Sequence, residues 1–285
     1  MIIIHHNDLD GRCSAAIVYR YLKKYNYNNE QIKLFEMDYD KKFPIDEIEK
    51  NEHIYILDFC LEDETMLDKL IKITKNLIVI DHHQTSLEIK GLKDLDGIRD
   101  VSKAACVLTW EFFHKKEDRI PDAVEYIGDM DAWIWNEREI SEPFTTALMM
   151  EPHKPKDEIW DKLIYDPLYH KHISKLIQEG KICVKFRKTI SEDYMTKYGF
   201  EVDFEGKKCF ACGFYAFGSM PFGYRIKKYD ICISFEYNGD KFLYGLYSDN
   251  KVDVSKIAEK YKGGGHKGAS GFSSKELLFK KEEQK

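Results

Sequence analysis

Three short apolar runs, MIII at 1 to 4, HIYIL at 53 to 57 and NLIVI at 76 to 80, each stop at aspartate or histidine, and that shared ending constrains the fold most. Each run is of strand length and rich in isoleucine, which reads as a buried strand. Helical patterns lie between them, Ser14 to Tyr25 after the first and Glu62 to Lys75 after the second, the latter with Leu67, Leu70, Ile71 and Thr74 at helical spacing. Strand, helix, strand is the parallel βαβ pattern, so the N-terminal half is predicted to be a doubly wound, mainly parallel α/β sheet. The runs lead into His5, His6, Asp8 and Asp10, then Asp58, then Asp81, His82 and His83. Open α/β sheets bind ligands outside the carboxyl ends of their parallel strands, so three strand ends deliver Asp and His to one crevice.

A site of His6, Asp8, Asp10, Asp58, His82 and Asp129 holds carboxylates and imidazoles only. That much negative charge in one cavity is untenable unless cations fill it. Carboxylate oxygens suit hard divalent ions, and imidazole tilts a mixed site toward Mn, Fe, Co or Zn. Two ions roughly 3.5–4 Å apart are the known solution for phosphoryl hydrolysis, activating water and neutralising the phosphate oxygens. The absence of cysteine from the set disfavours structural zinc. Taken alone, an Asp after a strand is more often a helix cap or turn residue than a ligand. Asp81 is read that way, and His5 and His114 as ordinary histidines. Turn chemistry does not, however, call for His6 beside Asp8 and Asp10 and also for His82 and His83 at a third strand end.

Further along, helical segments are predicted near Lys103 to Phe113 and Asp122 to Met130, followed by Asp129 and Asp131 in YIGDMDAW. The predicted organisation is a catalytic domain over 1–155, a charged helical linker over 156–198 and a smaller α/β domain over 199–285. In the last, ICISFEY and KFLYGLY flank the hairpin signal Asn238-Gly239-Asp240, Val254 to Tyr261 reads as a helix, and the tail FKKEEQK as solvated. Seven scattered cysteines are an odd number that suits reduced thiols, with Cys209 and Cys212 as structural strand residues. No run reaches the roughly 20 apolar residues of a membrane span, and the N-terminus lacks the marks of a secretory signal. A cytoplasmic, membrane-free location is the expectation. A net charge of -6 argues against a long duplex nucleic acid partner but not against a short phosphate substrate in a local basic pocket.

HHNDLDG at 5 to 11, the Asp of ILDF at 58, IDHH at 80 to 83 and GDMD at 128 to 131 resemble, in order, the four motifs of the DHH phosphoesterase superfamily. GGGHKGASGF at 263 to 272 resembles the signature of its DHH-associated C-terminal domain. Together these span nearly the whole chain, and five motifs in order are a specific match. The resemblance implies one ion held by His6, Asp8 and Asp58, and a second held by Asp10, Asp58, His82 and Asp129, with Asp58 bridging. Mn²⁺ is the expected metal, with Mg²⁺ or Co²⁺ as alternatives. His83 would lie against the substrate phosphate or leaving group, and Asp131 would cap or support.

The resemblance also implies a site in the cleft between the two domains, with Gly263, Gly264, Gly265 and His266 gripping the far part of the substrate. Glycine backbone N–H groups approach an anion closely. Arg225 is a further candidate contact, whereas Lys227 and Lys228 read as solvated. Where many relatives that cleave small nucleotides carry Arg in a Ser-Leu-Arg-Ser stretch, this chain has Tyr247 in GLYS, and an aromatic there can stack on a base. The expected activity is hydrolysis of short oligoribonucleotides or dinucleotides by a two-metal-activated water, as in an oligoribonuclease. Alternatives are a phosphatase on 3′-phosphoadenosine 5′-phosphate or a cyclic-dinucleotide phosphodiesterase. Pyrophosphatase, polyphosphatase and a non-catalytic nucleotide sensor rank lower. The oligomeric state is open, a homodimer included.

Overall fold

The isoleucine run forms β1 (Ile2–His6), flanked in parallel by β2 (Lys33–Met37) and β3 (Ile54–Leu57), and β4 (Leu77–Ile80) pairs with β3. The computed structural model describes the chain except residues 39–40, 62, 133, 135, 215–216 and 280–285; the start of the predicted Glu62 helix and most of the predicted solvated tail lie outside the described residues. The four strands make an all-parallel sheet in the order β2-β1-β3-β4. Its doubly wound character follows from the period of two in β1. Ile2 and Ile4 pack with Leu67 and Leu70 of α2 (Glu64–Ile73), whereas Ile3 packs with Ala15, Val18 and Leu22 of α1 (Leu9–Lys24). Each isoleucine is 0% exposed, and burying such a side chain contributes about 1.5–3 kcal/mol.

Strand β2 escapes the apolar signal because it is an edge strand, mostly half-buried, with Lys33 and Glu36 in it. Helix α1 begins at Leu9, well before the predicted Ser14, because the Asp8 side chain caps it by accepting from the Gly11 amide at 2.9 Å. Gly11 is required there: a Cβ would lie 2.4 Å from the His6 carbonyl oxygen. After β4 come α3 (Gln84–Glu88), α4 (Ala105–Phe113), α5 (Asp122–Asp131) and α6 (Arg138–Leu148). Residues from α1, α4, α5 and α6, with Trp160, form a core beside the sheet.

The long α7 (Tyr169–Tyr198) spans the boundary between two compact units, Met1–Val184 and Lys185–Lys285. The second unit holds β5 (Phe200–Phe204), β6 (Lys207–Cys212), α8 (Arg225–Lys228), β7 (Ile231–Tyr237), β8 (Phe242–Tyr247), α9 (Val254–Lys260), β9 (Gly264–His266) and β10 (Ala269–Ser274). Its six-stranded sheet has the order β5-β6-β7-β8-β10-β9 and is mixed, with β6 and β7 parallel and the other pairs antiparallel. The β7–β8 hairpin turns at Asn238-Gly239-Asp240, closed by the Asn238 amide donating to Lys241 O at 3.1 Å. Cys209 and Cys212 are buried free thiols of β6. Among the described residues no helix is long and apolar enough to cross a membrane.

Candidate metal centre

In the order β2-β1-β3-β4 the chain leaves β1 toward one edge and returns to β3 on the other side, so the topological switch lies between β1 and β3. His6, Asp8 and Asp10 follow the first of these strands and Asp58 the second, with His82 and His83 following β4. Side chains of three groups have donor atoms within 4.8 Å of one another: His6, Asp8 and Asp58; Asp10, His82 and Asp131; and Asp58, His82 and His83.

Asp58 is the centre of this arrangement. It is 1% exposed, and neither carboxylate oxygen has a hydrogen-bond partner among the described residues. The nearest imidazoles are His82, with Nε2 at 3.3 Å from Oδ1, and His6, with Nδ1 at 3.8 Å from Oδ2. Its φ of 55° is left-handed, a conformation Asp tolerates better than most residues. A buried acid with both oxygens bare is costly unless something positive is bound to it. Burial, then Asp10, Asp8 and Asp131, push its pKa well above the usual carboxylate range.

The surrounding groups divide by partner. Burial would raise Asp8, but the His6 ring, with Nδ1 at 2.7 Å from Oδ2, outweighs it and brings its pKa down to about 2. For His6 burial works downward, and the hydrogen bond to Asp8 lifts the net value. Burial raises Asp10 despite the opposing charge of His82, whose Nε2 is 3.8 Å from Oδ2. Asp131, with Oδ2 3.2 Å from His82 Nε2, is raised well above its ordinary value by burial and then by Asp10 and Asp8. The donor set therefore fits divalent cations: only carboxylates and imidazoles, several acids held against their charged form, and one acid with two orphaned oxygens.

Asp81 is buried and engaged by its own neighbours. Its Oδ1 is 2.7 Å from His83 Nδ1, and Ser86 Oγ donates to Oδ2. Burial would raise Asp81, but the His83 contact holds it low; His83, pulled down by burial, is lifted by the same contact. His5 is buried, with Nδ1 at 2.7 Å from the His6 carbonyl oxygen, and His114 stacks on Trp110 at 3.5 Å.

Asp129, expected among the ligands, points elsewhere. Its oxygens accept from the Asn136 amide and the Ser141 hydroxyl, both at 2.7 Å, which ties α5 to the following turn and α6. Asp131 stands in the cluster instead. Two residues on a helix are about 200° apart, so only one of the pair can face inward. The buried Val124 and Ile127 mark the inward stripe, and Asp131 continues it at i+7 and i+4; that phase is the signal that singles out Asp131.

In the second unit Arg225 is also not placed as expected. It is 5% exposed, donates to Glu192 through Nη1 at 2.6 Å and Nη2 at 2.8 Å, and lies 5.1 Å from the Phe210 ring centroid. Tyr247 on β8 is half-buried, 5.8 Å from Phe222 between ring centroids. Gly264, Gly265 and His266 form the exposed edge strand β9, with His266 opposite Ala269 and Ala269 opposite Tyr247, so His266 and Tyr247 share one cross-strand row. Gly263 has no room for a side chain, since a Cβ would fall 2.1 Å from Gly271 O, and Gly265 has a φ of 136°. These two glycines are thus demanded by strand packing, whereas a Cβ on Gly264 would meet nothing within 4 Å.

Residues 1–130 match the model of the DHH family, N-terminal domain. The chain is similar to the uncharacterized protein R106 of Acanthamoeba polyphaga mimivirus, 24% identical over 302 residues, covering 96% of this chain and 67% of that protein. Among solved structures it resembles the DHH domain of a member of a family of ribosomal proteins, with TM-score 0.63, 13% identity and coverage of 95% of this chain and 81% of the other. It also resembles exonuclease RecJ bound to manganese, with TM-score 0.52, 14% identity and coverage of 95% and 85%. These structural likenesses support the two-domain α/β fold.

Proposed function

From a DHH-family N-terminal domain at residues 1–130, we propose that the chain is a phosphoric ester hydrolase, a metal-dependent phosphodiesterase acting on short oligoribonucleotides or dinucleotides. The observation that carries this reading is Asp58, buried with both oxygens bare inside a ring of Asp8, Asp10, Asp131, His6 and His82. His6, Asp8 and Asp58 would hold one ion, and Asp10, His82 and Asp131 a second, with Asp58 between them. Two divalent ions held there, Mn²⁺ foremost, would supply activation of water and neutralisation of the phosphoryl oxygens. His83, oriented through Nδ1 by Asp81, is the proton donor toward the phosphate or leaving oxygen. In the second unit His266, the exposed Gly264 and Tyr247 are candidate nucleotide contacts, Tyr247 by stacking on a base. The manganese-bound RecJ neighbour, an exonuclease by name, supports a nucleic acid substrate, and the acidic net charge supports a short one.

The test is a substrate panel with Mn²⁺, read by product chromatography: a dinucleotide, longer RNA, 3′-phosphoadenosine 5′-phosphate, a cyclic dinucleotide and pyrophosphate. Turnover is expected to be fastest on the dinucleotide or shortest RNA and to stop with chelator. Hydrolysis of pyrophosphate alone, or equal turnover with chelator present, would sink the proposal.

A further inference from the structure

We infer that the N-terminus of α4, through the backbone amides of Ala105 and Cys106, is the positioning element that holds Asp10 as a metal ligand, an inference that rests on the metal-dependent reading above. Asp10 is fully buried at its side chain. Its Oδ2 accepts from the Ala105 amide at 2.8 Å and its Oδ1 from the Cys106 amide at 2.6 Å. Those amides open a nine-residue helix whose own N-cap, Ala104, has no side-chain acceptor to offer. Asp10, on α1, thus supplies the cap that residue 104 lacks, satisfying two of the donors that every helix N-terminus leaves unpaired.

The contrast with Asp58 shows what this bracing does. Asp58 has two bare oxygens, whereas Asp10 has one N–H on each. Those two N–H donors fix the orientation of the Asp10 carboxyl group. The paired amides and the positive end of the helix fix the carboxylate plane before any cation arrives, leaving each oxygen one remaining lone pair. Oδ2 so held lies 3.8 Å from His82 Nε2. The packing of α1 on α4 therefore sets the geometry of one ion's ligands. The Cys106 thiol also lies against Asp10, beside the two backbone amides.

The geometry permits a clean test. Ala105 is the first helical residue, where proline is well accepted, and Ala104 has φ -67° and ψ 155°, the extended conformation favoured before proline. Ala105→Pro therefore removes one N–H donor while leaving the helix able to form. Ala105→Gly keeps the donor and controls for lost helix propensity. Metal-stripped full-length protein is titrated with Mn²⁺ by calorimetry, with circular dichroism and thermal melting recorded on each variant. The expected result is a folded Ala105→Pro variant in which one class of Mn²⁺ site is weakened by roughly 10–100-fold, as for loss of a group that orients a ligand. Ala105→Gly should lower the melting temperature without changing affinity. Should the proline variant fail to fold, a backbone ester at position 105 removes the same N–H without a ring, and the same weakening is expected. Wild-type affinity for both ions in a folded proline or ester variant overturns the inference alone. No Mn²⁺ binding by the wild-type chain overturns the metal reading and the inference with it.

Discussion

Replacing Asp58 by Asn tests the centre of the site most directly, because it should move stability in opposite directions with and without metal. Asn retains the shape of the side chain and, like Asp, tolerates the left-handed φ of 55° at this position. Alanine there would add backbone strain of about 1–2 kcal/mol and confuse the result. In the metal-free protein the wild-type carboxylate is buried, has no hydrogen-bond partner and faces Asp8, Asp10 and Asp131. Asn removes the charge and offers amide N–H donors to the neighbouring carboxylates, and a hydrogen bond to a charged group contributes about 1.5–3 kcal/mol, so the variant should be about 2 kcal/mol more stable without metal. For a unit of this size that is a rise of about 4–8 °C in melting temperature. With Mn²⁺ at about 100 times its Kd, the wild type gains about 2.7 kcal/mol per ion, and the variant, lacking the shared anionic ligand, should gain little. The order of the two melting temperatures should therefore reverse between chelator and Mn²⁺, and phosphoesterase turnover should be lost in the variant. Differential scanning fluorimetry with both additives reads this directly. The reasoning is refuted if the variant melts below wild type in chelator, or if Mn²⁺ raises both equally.

The neighbouring acids separate ligand from cap. Asp131→Ala should reduce bound metal, measured by elemental analysis, whereas Asp129→Ala should keep metal and lose about 1.5–3 kcal/mol of stability with its contacts to Asn136 and Ser141; the reverse pattern would restore Asp129 as the ligand. His83→Ala should retain metal and lower kcat by about 10²-fold or more, as for a missing proton donor; loss of metal in step with activity would make His83 a ligand. Without metal, stability should fall from mildly acidic pH toward neutrality. Asp10, Asp58 and Asp131 hold protons in the folded chain that the unfolded chain has already released, so rising pH favours unfolding. His6 and His83, lifted above 6.5, act the same way, their contribution being full below that value and lost as pH climbs through the folded one. Asp8 and Asp81, held low, contribute above the ordinary carboxylate range and lose that contribution only as pH falls through their folded values, about 2 for Asp8. Melting temperatures recorded against pH with chelator should show this decline and Mn²⁺ should flatten it; a rise toward neutrality in chelator would contradict it.

The strand ends were legible in the sequence because β1, β3 and β4 are buried runs whose side-chain directions follow from a period of two, with the acidic and imidazole residues following directly on them. Helix phase likewise contained the choice between Asp129 and Asp131, since Val124 and Ile127 mark the inward stripe of α5. Strand β2 was hidden because an edge strand buries too little to need a continuous apolar run. Arg225 read as a candidate substrate contact because nothing local announces Glu192, 33 residues away, as its partner. The glycines of GGGH read as an anion loop, and only the pairing of β9 with β10 reveals that Gly263 and Gly265 are small because another backbone lies against them. The bracing of Asp10 by Ala105 and Cys106 joins residues 95 and 96 positions apart through main-chain groups that every residue except proline carries. Local sequence determines which way a side chain leaves its own strand or helix, because that depends on chain geometry alone. What the side chain meets is decided by how elements remote in sequence pack together, because hydrogen bonds and ion pairs form only between groups the tertiary fold has brought into contact.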